Sequence, residues 1–192
     1  MFQVGYTSEH ASLNNAAVEP DLYMQNARHY AKEDFLVDRT LKHLKKSIES
    51  IRKIEEDIDM NSQESVDDAV ENLERLYYKI LGDSAFTDDL NQAFEYALNT
   101  LTLAELRVSE KYAESNNMEM ATIALNYAKM HLKSASQFSN HPDLDKEHHV
   151  YAELDSIIED GTIPPVIIIE KIDKMISEMD SIIISEKQKS HH

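Results

Sequence analysis

The apolar positions of this chain recur at helical spacing almost from end to end. Leu41, Leu44, Ile48, Ile51 and Ile58, led in by Val37, follow at steps of 4, 3, 4, 3 and 7 residues. That spacing draws one stripe down a helix, the pattern of a bundle element that buries a single face. A polar turn over 59–63 separates it from Val66, Val70, Leu73, Tyr77 and Ile80, which repeat the pattern until Gly82. Thr87 is placed as an N-cap, with Asp88 and Asp89 in the first turn, where the helix dipole favours acids. Behind it run Leu90, Phe94, Ala97, Leu101, Ala104, Val108 and Tyr112. Ser115-Asn116-Asn117 interrupts, and Ala121, Leu125, Ala128, Leu132 and Ala135 form a fourth stripe. The spacing of Val108, Tyr112, Ala121 and Ala128 resembles a tetratricopeptide hairpin, but it does not recur along the chain as a solenoid requires.

Four long amphipathic helices joined by short turns must run antiparallel to their neighbours. The expected fold is therefore all-α: an antiparallel four-helix bundle over 21–140, with a C-terminal helical hairpin over 141–188 packed on it. Residues 1–20 read as a flexible arm, because they are small and polar with no period. His141-Pro142 stops the fourth helix. A helix of about 143–160 carries Val150, Leu154, Ile157 and Ile158, and the last helix begins at Thr162 with Pro164 and Pro165 in its first turn. Alanines on the third and fourth helices (Ala93, Ala97, Ala104; Ala121, Ala124, Ala128, Ala135) predict close approach of that pair. In the last helix, Ile169, Ile172, Ile176, Met179 and Ile183 make a stripe, and Ile167, Ile168, Ile182 and Ile184 fall off it. A helix apolar on several faces is covered on several faces, so a homodimer through Ile167, Ile168, Ile182 and Ile184 is expected, or failing that the arm folding over them.

Charge narrows the partners. The chain carries 36 acidic against 19 basic residues, a formal net charge of −17. Nucleic acid and anionic membrane would be repelled by the average surface. The longest unbroken Ile/Val run, Val166–Ile169, is far short of the ~20 residues of a spanning helix. There is no cysteine, which excludes disulfides, zinc fingers, iron–sulfur clusters and thiol catalysis. With 3 glycines in all, a phosphate-cradling loop is excluded too. No Glu-x-x-His pair of the di-iron type occurs, nor a His-Glu-x-x-His or Gly-x-Ser-x-Gly. Met1–Ala17 has neither the basic nor the apolar region of a signal peptide. A cytoplasmic location is the expectation, ahead of export of a chain whose leader has been removed. Ser190-His191-His192 reads as the start of an affinity tag, and both histidines are left out of site reasoning.

Three constellations have chemistry in them. Asp57, Asp59 and Asn61 alternate between the first two helices as the opening ligands of a calcium loop do, with Asp68 in twelfth place. Ser62 replaces the turn glycine and Glu64 the apolar eighth residue, so a polar interhelical turn is the plainer account. Asp145, His149 and Glu153 lie one turn apart on one helical face, where imidazole and carboxylates suit Zn²⁺ or another divalent ion. The plainer account there is an acidic helix start. The third is His43, in Leu41-Lys-His43-Leu-Lys-Lys46-Ser47. Over about six residues this resembles the phosphoacceptor stretch of a histidine phosphotransfer domain, also a four-helix bundle, where Lys follows the exposed His by three residues. Lys46 matches, whereas Ser47 stands in place of Gly and Lys45 in place of an apolar residue. The resemblance implies a signalling module with His43 as phosphoacceptor.

Around His43, Arg39, Lys42, Lys45, Lys46, Arg52 and Lys53 face the single acid Glu49 over residues 39–53. Much of this charge is expected to pair with Glu64, Asp67, Asp68, Glu71 and Glu74 on the next helix, leaving a remainder for a phosphate or acidic partner. The stripes hold only aliphatic, Ala, Met, Phe and Tyr residues and the ionisable groups fall on predicted solvent faces, so no catalytic residue and no cofactor are expected. The leading expectation is a non-enzymatic protein that binds or scaffolds through its helix faces. The alternatives are the His43 signalling module and a divalent-cation-binding bundle.

Overall fold

The computed structural model describes residues 7–33, 36–55, 58, 60–82, 87–139, 144–160 and 163–189. Its elements are seven helices, with no strand among the described residues: α1 Thr7–Glu33, α2 Val37–Glu55, α3 Met60–Leu81, α4 Thr87–Glu114, α5 Met118–Ala135, α6 Leu144–Glu159 and α7 Pro165–Lys189. The chain is all-α, and its helices pack as a bundle with the α6–α7 hairpin against it. No helix is long and apolar enough to cross a membrane among the described residues.

The four predicted stripes are α2 to α5, and their apolar residues lie in the core or pack against it, except Val37, which is exposed. Asn116 takes the left-handed conformation (φ 60°), a position asparagine tolerates, and Asn117 caps α5 by accepting from the Met120 N–H. Close approach of α4 and α5 is borne out. Ala97, Ala104, Ala121 and Ala128 are fully buried, and the Ser109 hydroxyl of α4 reaches across to the Ala121 carbonyl of α5 at 2.9 Å.

Three features differ from the sequence reading. First, α1 is a helix from Thr7 where an arm to residue 20 was expected. Its stripe of Ala17, Met24 and Ala27 is small and is broken by Pro20, which removes an internal hydrogen bond, so the period reads faintly. Second, α2 and α5 are not packing neighbours. Instead α1, α2, α3 and α4 contact one another in a ring, and α4, α5, α6 and α7 in a second ring. The two rings share α4. This explains why α4 is buried without interruption from Ala93 to Leu106, on every face.

Third, the buried face of α7 is Ile168, Ile172, Met175, Met179, Ile182 and Ile183, which keeps Ile172, Met179 and Ile183 of the predicted stripe and widens it, because α7 packs on both α4 and α6. Ile168 and Ile182, expected at a subunit contact, are therefore core residues of the chain itself. Ile167 and Ile184 stay exposed, with Val166. Val166 and Ile184 lie on one face about 27 Å apart along the axis, with Glu170, Asp173 and Ser177 between them.

Candidate functional site

Asp57 and Asp59 lie outside the described residues, as do the side chain of Asn61 and residues His191 and His192. α3 already begins at Met60, which leaves no twelve-residue loop between α2 and α3, and Asp68 is ion-paired with Lys187 of α7. On α6, Asp145 is exposed, His149 Nδ1 sits 2.8 Å from Glu178 and Glu153 accepts from Lys171 at 2.6 Å. The Lys171 hydrogen bond holds the Glu153 carboxyl below its usual range. These side chains lace α6 to α7, and the structure does not gather Asp145, His149 and Glu153 on one ion.

His43 lies in an ordered column of rings and cations along the α1–α2 seam. Its imidazole stacks on Tyr30 of α1, with centroids 5.3 Å apart and planes 21° apart, and leans toward Tyr23 at 6.1 Å. Arg39 lies over the Tyr30 ring, 5.3 Å from its centroid, and Lys46 lies 5.1 Å from that of Tyr23. The order is Arg39, Tyr30, His43, Tyr23, Lys46. Burial, then the charges of Lys46 and Lys42, hold the His43 pKa below its ordinary value, so the ring is neutral at pH 7. Its Nδ1 is buried without a hydrogen-bond partner. Among the described residues, pairing of the basic stripe with α3 is confined to Arg52 and Glu74, at 2.6 Å, and Lys45 pairs within α2 with Glu49. Arg39, Lys42, Lys46 and Lys53 have no carboxylate partner among the described residues.

A third constellation lies inside the molecule. Glu95 of α4, Glu147 of the first turn of α6 and Glu186 near the end of α7 bring one carboxylate oxygen each within 4.8 Å of the others. Asn99, one turn along α4 from Glu95, donates through Nδ2 to Glu147 Oε1 at 3.0 Å and to Glu186 Oε1 at 2.8 Å. All four residues are less than a tenth exposed. Tyr96 and Lys187, which follow Glu95 and Glu186 in the chain, form part of the wall of a cleft of about 370 Å³ between α3 and α4. Burial raises the Tyr96 hydroxyl pKa, so it stays protonated there.

Farther along α4, His131 of α5 is fully buried and sits 2.7 Å from Asp21 of α1. Burial works to lower its pKa, but the Asp21 and Glu105 carboxylates outweigh burial and hold it above the ordinary value.

The stripe reading misses Glu95, Asn99, Glu147 and Glu186. A signal for the α4 pair is present: Asn91, Glu95, Asn99 and Thr102 follow at helical steps, and Leu98, Leu103 and Leu106 fall off the apolar stripe. A helix apolar on several faces buries its polar residues as well. Comparison with protein-family models, curated proteins and solved structures finds no match in any of the three.

Proposed function

We propose that this chain is a non-enzymatic binding protein that docks an acidic segment of a protein partner on its α1–α2 face. The observation that carries this reading is the column of Arg39, Tyr30, His43, Tyr23 and Lys46 with Lys42 beside it, cationic and without carboxylate partners among the described residues. Cations resting on aromatic faces are held in place before a partner arrives, which lowers the ordering cost of binding. The net charge of −17 disfavours an extended polyanion such as nucleic acid, whereas a short acidic segment feels mainly the local patch. The buried ionisable groups are enclosed by packed helices, which supports binding over catalysis as the chain's role. Self-association through α7 would have to use Val166, Ile167 and Ile184, since Ile168 and Ile182 are buried within the chain.

The test is titration of a short glutamate-rich peptide followed by NMR. The expected result is saturable shifts of the His43, Tyr23 and Tyr30 ring signals that weaken with added salt and are lost in Lys42→Glu/Lys46→Glu. Unchanged ring signals, or equal binding by the double variant, would contradict the proposal.

One observation favours a second reading, His43 as phosphoacceptor: a neutral imidazole carries the lone pair that attacks phosphorus. Stacking on Tyr30 opposes it by covering one ring face. Exposure to phosphoramidate, read by intact mass, separates the two. A phosphoryl group gained by the original chain and not by His43→Gln supports the second reading, and no gain retires it.

A further inference from the structure

We propose that Glu95, Asn99, Glu147 and Glu186 form a binding site for one hard divalent cation of the Mg²⁺, Mn²⁺ or Ca²⁺ class. The geometry matches such an ion. Metal–oxygen bonds of about 2.0–2.6 Å put oxygens on opposite sides of the ion about 4–5 Å apart. The three carboxylate oxygens lie within 4.8 Å of one another, a spacing at which one ion can bridge them once the side chains draw in. Every donor is an oxygen, and the chain has no cysteine. His148 and His149, adjacent to Glu147, are exposed, and His149 is engaged with Glu178. This donor set selects hard cations over Zn²⁺ or Cu²⁺.

The electrostatics favour a cation at this place. Three carboxylates gathered out of water are neutralised by a cation or by protons. Asn99 supplies two hydrogen bonds, which are dipoles and not a charge.

Asn99 is also the independent sign of a ligand. Its side chain is fully buried, and its Oδ1 accepts no hydrogen bond. A half-turn of the amide exchanges Oδ1 and Nδ2 in nearly the same space. That rotation replaces the donor facing Glu147 and Glu186 with a fourth oxygen ligand. The amide thus donates to the carboxylates as the structure describes it and turns to ligate the ion on binding. The ion would join the middle of α4 to the first turn of α6 and the last turn of α7, fastening the open end of the hairpin, where helix ends otherwise fray.

The test is a titration of the full chain, stripped with chelator and dialysed free of it, with Mn²⁺ while free ion is followed by electron paramagnetic resonance. The expected result is one Mn²⁺ per chain, displaced by Mg²⁺ or Ca²⁺, with Glu147→Gln and Glu186→Gln each weakening binding by roughly tenfold or more. Helix content and melting are measured beside each variant. Asn99→Asp keeps the size and replaces the amide with a charged oxygen, so it is expected to bind Mn²⁺ as tightly as the original chain or more tightly. The absence of a stoichiometric Mn²⁺ site would overturn the proposal. So would affinity that Glu147→Gln and Glu186→Gln leave unchanged, or a tenfold loss in a folded Asn99→Asp.

Discussion

His131 and Asp21 join α5 to α1 in a setting where water cannot replace either partner. Because the folded His131 pKa lies above its unfolded value, its contribution to stability is fully present below about pH 6.5 and is lost as pH rises through the folded pKa. Glu110 adds to the same trend. Burial, then the hydrogen bond and charge of Asp173 on α7, push its pKa up to about 7, so the folded chain holds a proton that the unfolded chain has released. Its stabilising effect is present below about pH 4.5 and is gone above about 7. Urea unfolding from pH 5 to 9 should therefore show stability falling as pH rises. Asp21→Asn should cost about 3–5 kcal/mol where His131 is charged, because it leaves a buried cation without its counter-ion. Glu110→Gln should flatten the slope near pH 6. Stability that rises steadily over this range would contradict both assignments.

Among the helices, α4 sets the character of the fold. An amphipathic helix on a bundle's edge tolerates changes off its stripe, whereas a helix shared by two rings has no free face. Leu98 and Leu103 lie off the apolar stripe and are nonetheless buried. Leu98→Ala and Leu103→Ala should each cost about 2–5 kcal/mol in urea unfolding, like Leu101→Ala on the stripe. Costs under about 1 kcal/mol for the two off-stripe variants would show a free face on α4. On α7 the same logic separates neighbours: Ile168→Glu should unfold much of the chain, and Ile184→Glu should leave its melting nearly unchanged. The stripes of α2, α3 and α5 were legible because each buries one face, and a 4-3 spacing encodes one face. The same spacing cannot say how many neighbours a helix has, so α4 read as an ordinary bundle helix. The carboxylate cluster was illegible for a further reason. Glu95, Glu147 and Glu186 are far apart in sequence, and only the second ring brings them together. In α6 the one-turn spacing points to Asp145, His149 and Glu153, whereas the acid that faces inward is Glu147.

At the scale of the whole molecule, the excess of 36 acids over 19 bases makes the compact state repel itself. Added sodium chloride should raise the melting temperature by screening that repulsion, while weakening any acidic ligand on the α1–α2 face. Opposite responses of stability and binding in one salt series would be the mark of a basic patch on an acidic body; a melting temperature that falls with salt would contradict it. Sharing α4 also makes the two rings one cooperative unit, since neither closes without it. Native-state hydrogen exchange tests this most directly. The account predicts that the amides of residues 93–106 exchange slowest in the chain and only through global unfolding. It also predicts that α2–α3 and α6–α7 share the free energy of that opening in denaturant. If residues 93–106 exchanged as readily as α1, or if α6–α7 opened fully while α4 kept its protection, the shared-helix architecture would be contradicted.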